Sequence, residues 1–433
     1  VERGRQSGTR DFWTRCEGIV RADGVLLDGY ERVRILQRRH DRESGYLQPD
    51  GGAASSGPES VQAGPDLVAA TSASGGIPGA GSARPGAGVR SSGPVTIGDA
   101  VRRQIPALRC VLDAHDVPQD GPVRAIPVLR EDVAALVRMR LQSRYGRLAV
   151  RLADLLPELH RALDSTVGQR RTMVADLLVQ AYRAADAVAD KFGYYDLSAR
   201  IIGLMLDAAT ESGDELAIAA AAYVRAETFF ANGQHEVGRR MLERASLRVM
   251  PEAGAGAAAA YGALHMRAAV LAARAGTLAK ANDHLLEAGC WAHGLPDGVY
   301  AGTVFGPASV RIHEVALAVD GGNPDAALTV AARWQPPTDL PAERRSHFYI
   351  DLSRACAMVE SPERARDALW TARAIAPEHV HDHPQVRETL DGLTRGRLGQ
   401  DPRVRQLRQW IGAGAGVNSP VPAAAGRAVP STS

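Results

Sequence analysis

Between Val95 and Ile411, apolar residues return every three or four positions, segment after segment. In RYGRLAVRLADLLPELHRAL, Leu148, Leu152, Leu155, Leu156 and Leu159 fall on one side of a helix with 3.6 residues per turn. The same spacing recurs in MVADLLVQAYRAADAVADKF, LSARIIGLMLDAA, GRRMLERA and KANDHLLEAG. The runs stop at Gly, Asn-Gly, Pro or Gly-Asp punctuation such as SGDE, ANGQ and GGNPD. Sustained alternation with a period of two is hard to find, so the pattern predicts an all-α body over 95–411.

A slower regularity lies on top of the helical one. Several helices carry a small residue, a large apolar residue four later and an Ala three beyond that. The clearest are Ala365, Leu369, Ala372 with Pro377 closing the turn, then Ala281, Leu285, Ala288, and Gly238, Leu242, Ala245, with weaker versions starting at Ala199 and Ala326. Their first members are 39, 43, 45 and 39 residues apart, as expected for helical pairs joined by loops of varying length. The small residue admits a neighbouring helix closely, and stacked pairs bury faces that no pair could bury alone.

The stretch from Ser346 to His379 resembles a tetratricopeptide repeat. Tyr349, Leu352, Ser353 and Cys356 stand at the large, large, small and large positions of its first helix, and Ala365, Leu369, Ala372 and Pro377 match the second. The resemblance implies a tetratricopeptide-like α-solenoid whose concave groove is lined from the first helix of each pair. Carried onto this chain, the groove positions are Tyr223, Glu227, Phe230, Arg311, His347 and Arg354. A peptide, small-molecule or protein ligand is the expected occupant, and core packing is the competing role for Tyr223 and Phe230.

Two stretches break the helical pattern. From Pro49 to Pro94, 11 Gly, 9 Ala, 8 Ser and 6 Pro fill 34 of 46 positions, too little apolar surface to offset ordering entropy, so 49–94 reads as a disordered linker. The residues 412–433 read as a disordered tail.

Ahead of the linker, residues 1–48 open with VERGRQ and TRDFWTRCEGIVRADGVLLDGY. Val1, Glu2, Arg3 and Gly4 match the end of a recognition helix in the repressor-like helix-turn-helix class of Cro and xenobiotic-response-element regulators. After a loop, Thr9 can cap a helix with Phe12, Cys16, Ile19 and Val20 on one face, and beyond Gly24 a second apolar face begins with Leu26, Leu27, Tyr30 and Val33. Head and body together resemble large actinomycete regulators that join such a head to degenerate tetratricopeptide repeats. The resemblance implies a transcriptional regulator with DNA as partner and Arg3 and Arg5 near phosphates; the expected mechanism is that ligand or partner binding in the body changes the presentation of the head or its assembly into a homodimer. The earlier helices of the head are missing from the match, so the expectation is a remnant that needs further residues to read DNA. A protein-interaction scaffold with no nucleic-acid role is the alternative.

Composition changes this picture little. A formal net charge of +2 favours neither nucleic acid nor membrane as partner. Cys16, Cys110, Cys290 and Cys356 lie far apart in no ligand spacing, which suggests neither a zinc site nor a disulfide framework and fits a cytoplasmic protein. His379, His381 and His383 in HVHDHP raise metal binding, but Pro384 follows at once and a solvated loop between helices accounts for them. Arg395, Arg397, Arg403, Arg405 and Arg408 read as a solvated face at the end of the array. No nucleophile elbow, phosphate-cradling loop or spaced acid–base pair is found, so no enzyme activity, cofactor or metal is expected.

Overall fold

A computed structural model describes residues 97–412, within Pro94–Ser433, the second of two units into which the chain divides. The expected head with Arg3 and Arg5, the linker 49–94, and the tail past residue 412 lie outside the described residues.

Helix α1 (Ile97–Asp113) precedes six helical hairpins: α2 (Ile126–Leu141) with α3 (Tyr145–Asp164), α4 (Gln169–Lys191) with α5 (Tyr195–Ser212), and α6 (Glu215–Ala231) with α7 (His235–Ser246). After these come α8 (Ala255–Arg274) with α9 (Leu278–Ala292), α10 (Pro307–Asp320) with α11 (Pro324–Arg333), and α12 (Ala342–Met358) with α13 (Pro362–Ile375). Short α14 (Pro377–His381), then α15 (Pro384–Arg395) and α16 (Pro402–Gly412), finish the described part, with α15 packed on α12 and α13. The expected all-α class holds with one addition, a small β-hairpin of β1 (Gly298–Tyr300) and β2 (Thr303–Phe305) between α9 and α10. Its strands are only three residues long, too short to leave an alternation in the sequence. The turn residues Ala301 and Gly302 both have positive φ, the geometry of a tight two-residue hairpin.

The same turn closes all six helical hairpins. Its central residue, Ser143, Gly193, Gly233, Gly276, Gly322 or Glu360, sits in the left-handed region. In five of the six the next residue donates its N–H to a carbonyl five residues back: Arg144 to Met139, Tyr194 to Ala189, Thr277 to Ala272, Asn323 to Ala318 and Ser361 to Cys356. This bond satisfies a carbonyl that the helix end leaves free. Glycine takes the conformation without a Cβ clash, whereas Glu360 holds it at φ 53° on the surface. Glu360→Gly is therefore expected to stabilise the protein by about 0.5–1 kcal/mol in urea denaturation; a loss of stability would show that the glutamate side chain contributes more than its backbone strain costs.

Counting from these turns corrects the repeat register. The residue five positions after each left-handed residue is Leu148, Ser198, Gly238, Ala281, Ala327 or Ala365, and all are buried. The weaker repeats thus start at Ser198 and Ala327 rather than at Ala199 and Ala326; Ala199 is exposed. At Gly238 the need for a small residue is visible, since an added Cβ would come within 2.7 Å of the Phe229 Cβ.

Consecutive first helices, α2, α4, α6, α8, α10 and α12, pack one on the next, while each second helix packs on its own partner. The stripe expected on α3, Leu148 through Leu159, is buried in the largest core cluster. Cys110 is exposed and Cys356 buried, both as free thiols. Among the described residues no helix is long and apolar enough to cross a membrane.

Candidate functional site

The row of first helices curves until residues far apart in sequence meet. Arg344 on α12 donates from Nη2 to the Tyr223 hydroxyl on α6 at 3.0 Å, Lys191 Nζ at the end of α4 lies 3.3 Å from Glu343 Oε1 on α12, and Glu378 on α14 accepts the Gly146 N–H of α3. Their meeting place is lined with cations. Arg183 and Arg267 place their guanidinium carbons 5.4 and 4.9 Å from the centre of the Tyr223 ring. Aromatic faces attract guanidinium groups, so Tyr223 holds three arginines together.

Four of the six groove positions expected from sequence fall along this face, though not as an open groove. Tyr223 is buried, Glu227 is ion-paired with Arg267, and the Phe230 ring lies beneath Arg267 and Arg274. His347 is half-buried one turn beyond Glu343 and Arg344 on α12. Arg311 is exposed, 5.7 Å from the Trp334 ring centre, and does not join them. Arg354 is tied by Asp320 and Asp351 at 2.8 and 3.0 Å. Core packing and groove lining, posed as alternatives for Tyr223 and Phe230, coincide here because the inner face is filled by the protein's own side chains.

Arg140, Arg183 and Arg344 form no ion pair with a carboxylate among the described residues. Arg140 instead donates to the Gly302 carbonyl at 2.6 Å, leaving its Nε buried without a partner. Arg183 donates to the Thr303 hydroxyl at 2.8 Å and to the Ala301 carbonyl at 3.3 Å. The β-hairpin tip thus lends neutral oxygens to guanidinium groups that bind anions best.

The charge excess is visible in the ionisation of its members. Burial opposes ionising Tyr223, yet Arg344, Arg267 and Arg183 outweigh it and bring the phenol down to about 7. Burial, followed by the nearby charge of Arg140, lowers Arg183 to about 9. Burial also penalises the Glu343 carboxylate, but Lys191, Arg344 and Arg140 hold it well below the usual range.

Beside this face stands a second cluster. His379 in α14 and His383 at the start of α15 meet His347, with ring centres 5.0 Å (347–379), 5.2 Å (347–383) and 5.2 Å (379–383) apart. The expectation of a solvated histidine loop is wrong: His379 and His381 are buried, and His383 is half-buried. His381 turns the other way, its Nδ1 2.9 Å from Asp382 and its ring against Trp410. Burial holds His379 down at about 3 and keeps His347 and His383 well below their ordinary value, so all three imidazoles are neutral. The basic residues at the end of the chain fit the expected solvated face, with Arg397, Arg403 and Arg408 in exposed ion pairs to Glu363, Asp367 and Asp391.

Sequence reasoning missed Arg140, Arg183, Arg267 and Arg344. A signal existed for two of them: Arg183, Tyr223, Arg267 and His313 stand nine or ten residues before Gly193, Gly233, Gly276 and Gly322, so one inner register reads Arg, Tyr, Arg, His. Comparison of the chain with protein-family models, curated proteins and solved structures gives no match.

Proposed function

We propose that the chain is a cytoplasmic transcriptional regulator whose helical body is a receptor for a ligand bearing phosphate or carboxylate groups. The observation that carries the receptor reading is the convergence of Arg140, Arg183 and Arg344 around Tyr223 with no carboxylate paired to any of them among the described residues. Six hairpins with a common turn support a tetratricopeptide-like solenoid as the frame. An anion on Arg140 and Arg183 replaces the carbonyls of Ala301 and Gly302, so occupancy moves the β-hairpin tip. The DNA-reading part of the proposal rests on the resemblance of Val1 to Gly4 to the end of a recognition helix and on that of head and body together to such regulators.

The receptor reading is tested by thermal unfolding of the full chain with inorganic pyrophosphate, citrate and acidic peptides as probes. A ligand at about a hundredfold its Kd adds roughly 2.7 kcal/mol, a rise of a few degrees in Tm. The rise is expected to vanish in Arg183→Ala and Arg344→Ala; no shift with any probe, or a shift that both variants retain, sinks the receptor. The regulator reading is tested separately, by mobility shift of the product of all in-frame codons around Val1 on DNA flanking its own gene. Retardation abolished by Arg3→Ala with Arg5→Ala is expected, and its absence leaves the interaction scaffold in its place.

A further inference from the structure

The geometry points to a divalent transition-metal site of the zinc class formed by His347, His379 and His383, with the fourth coordination position open to water or an anionic donor. This does not depend on the proposed function. One ring nitrogen from each of the three residues lies within 4.8 Å of the others. In a tetrahedral site with Zn–N bonds of about 2.0–2.1 Å the ligand nitrogens stand roughly 3.3 Å apart, so side-chain rotation of about 1 Å closes the set.

The nitrogens are also unclaimed. Nδ1 of His347, both ring nitrogens of His379 and Nδ1 of His383 are buried with no hydrogen-bond partner. A buried polar atom left unpaired costs about 1–3 kcal/mol, and three rings with unpaired nitrogens, each offering a donor within 4.8 Å of the others, call for a common partner. One metal ion bonded to three imidazoles satisfies three at once. Neutral nitrogen donors suit zinc, copper, nickel and cobalt, and do not suit magnesium or calcium, which take oxygen. Lys191 and Arg344 face the cluster and oppose a cation, while the carboxylate of Glu343, one turn before His347 and 3.3 Å from Lys191, offsets them. His347 and His383 are only half-buried, which leaves an ion a way in. His379 and His383 have the spacing of a helical ligand pair, but α14 ends at His381 and His383 caps the start of α15, so the two do not share a helix, and the third ligand comes from α12.

The test uses the full chain, stripped with a chelator and titrated with zinc by calorimetry, with retained metal measured after dialysis. About one equivalent is expected to bind. His347→Ala and His379→Ala should each weaken binding more than about a hundredfold, since even outer-shell changes cost 10–100-fold, while His293→Ala on the surface leaves it unchanged. Cobalt in the unaltered chain should show the intense visible absorption of tetrahedral coordination, a readout independent of how the variants fold. No bound zinc, binding that survives both triad variants, or a weak octahedral cobalt spectrum overturns the site. His265 and His284, whose Nδ1 atoms are 3.1 Å apart with Glu243 beside them, are where zinc would then be sought.

Discussion

Gly262→Val is expected to cost the protein about 3 kcal/mol, the opposite of what helix propensity predicts. Replacing a mid-helix glycine with a better helix former ordinarily gains up to about 1 kcal/mol. Gly262 lies within α8 directly under Phe305, the last residue of β2, and an added Cβ would come within 2.6 Å of Phe305 Cε2 and nearer still to Cζ. Phe305 is completely buried and cannot swing aside as a surface side chain would. The backbone behind it is no freer: Gly306 holds φ 144°, and a Cβ there would meet the Asp297 Cα at 2.7 Å. Overpacking of this kind usually costs 1–3 kcal/mol, sometimes more. Urea denaturation checks the figure. Phe305→Leu in the same chain should recover roughly 1–2 kcal/mol relative to additivity, because it removes the ring the valine strikes. Additive effects would mean that the two residues do not compete for the same space.

Asp186→Asn is expected to stabilise the protein by about 2–4 kcal/mol at pH 8 and by less than half as much at pH 5. Asp186 is buried on α4, where it accepts a hydrogen bond from the Ser198 hydroxyl at 2.6 Å. Burial, reinforced by Asp190, raises its pKa from 3.8 to about 7. A carboxyl whose folded pKa is raised is favoured in its neutral form. Its contribution is therefore complete below pH 3.8 and is lost as pH rises through about 7. Asparagine is neutral at every pH and keeps an oxygen for Ser198. Denaturation of both proteins at the two pH values decides the matter: an equal difference at pH 5 and pH 8 would mean that the aspartate does not titrate in this window.

The α3 stripe and the all-α class could be read directly because both follow from local periodicity. Leu148, Leu152 and Leu159 needed only a helix and a neighbour to bury against. The repeat register was readable to within one residue, and the slip at Ser198 and Ala327 came from reading small residues without the turns that position them. The arginine-lined interior depends on something no local pattern contains, the curvature of successive hairpins that brings Arg344 to Tyr223. The histidine cluster failed for a related reason. HVHDHP suggests three consecutive alternating histidines as one group, whereas the chain turns His381 away and takes its third member from α12. Tyr223 and Phe230 line the inner face with arginines that were passed over in the sequence, since a charged residue on a helix is by default a solvated one.

An open solenoid behaves almost as a one-dimensional chain of units, free to melt from either end because each unit knows only its neighbours. Here the Lys191–Glu343, Tyr223–Arg344 and Gly146–Glu378 links join early hairpins to late ones. Peeling α12 and the later helices from the array breaks bonds to α3, α4 and α6 as well as to α10, and leaves Tyr223 without one of the cations that sustain it. The array has in effect lost its free ends, so fraying gives way to all-or-none melting, and a disturbance at the last hairpin is felt at the first.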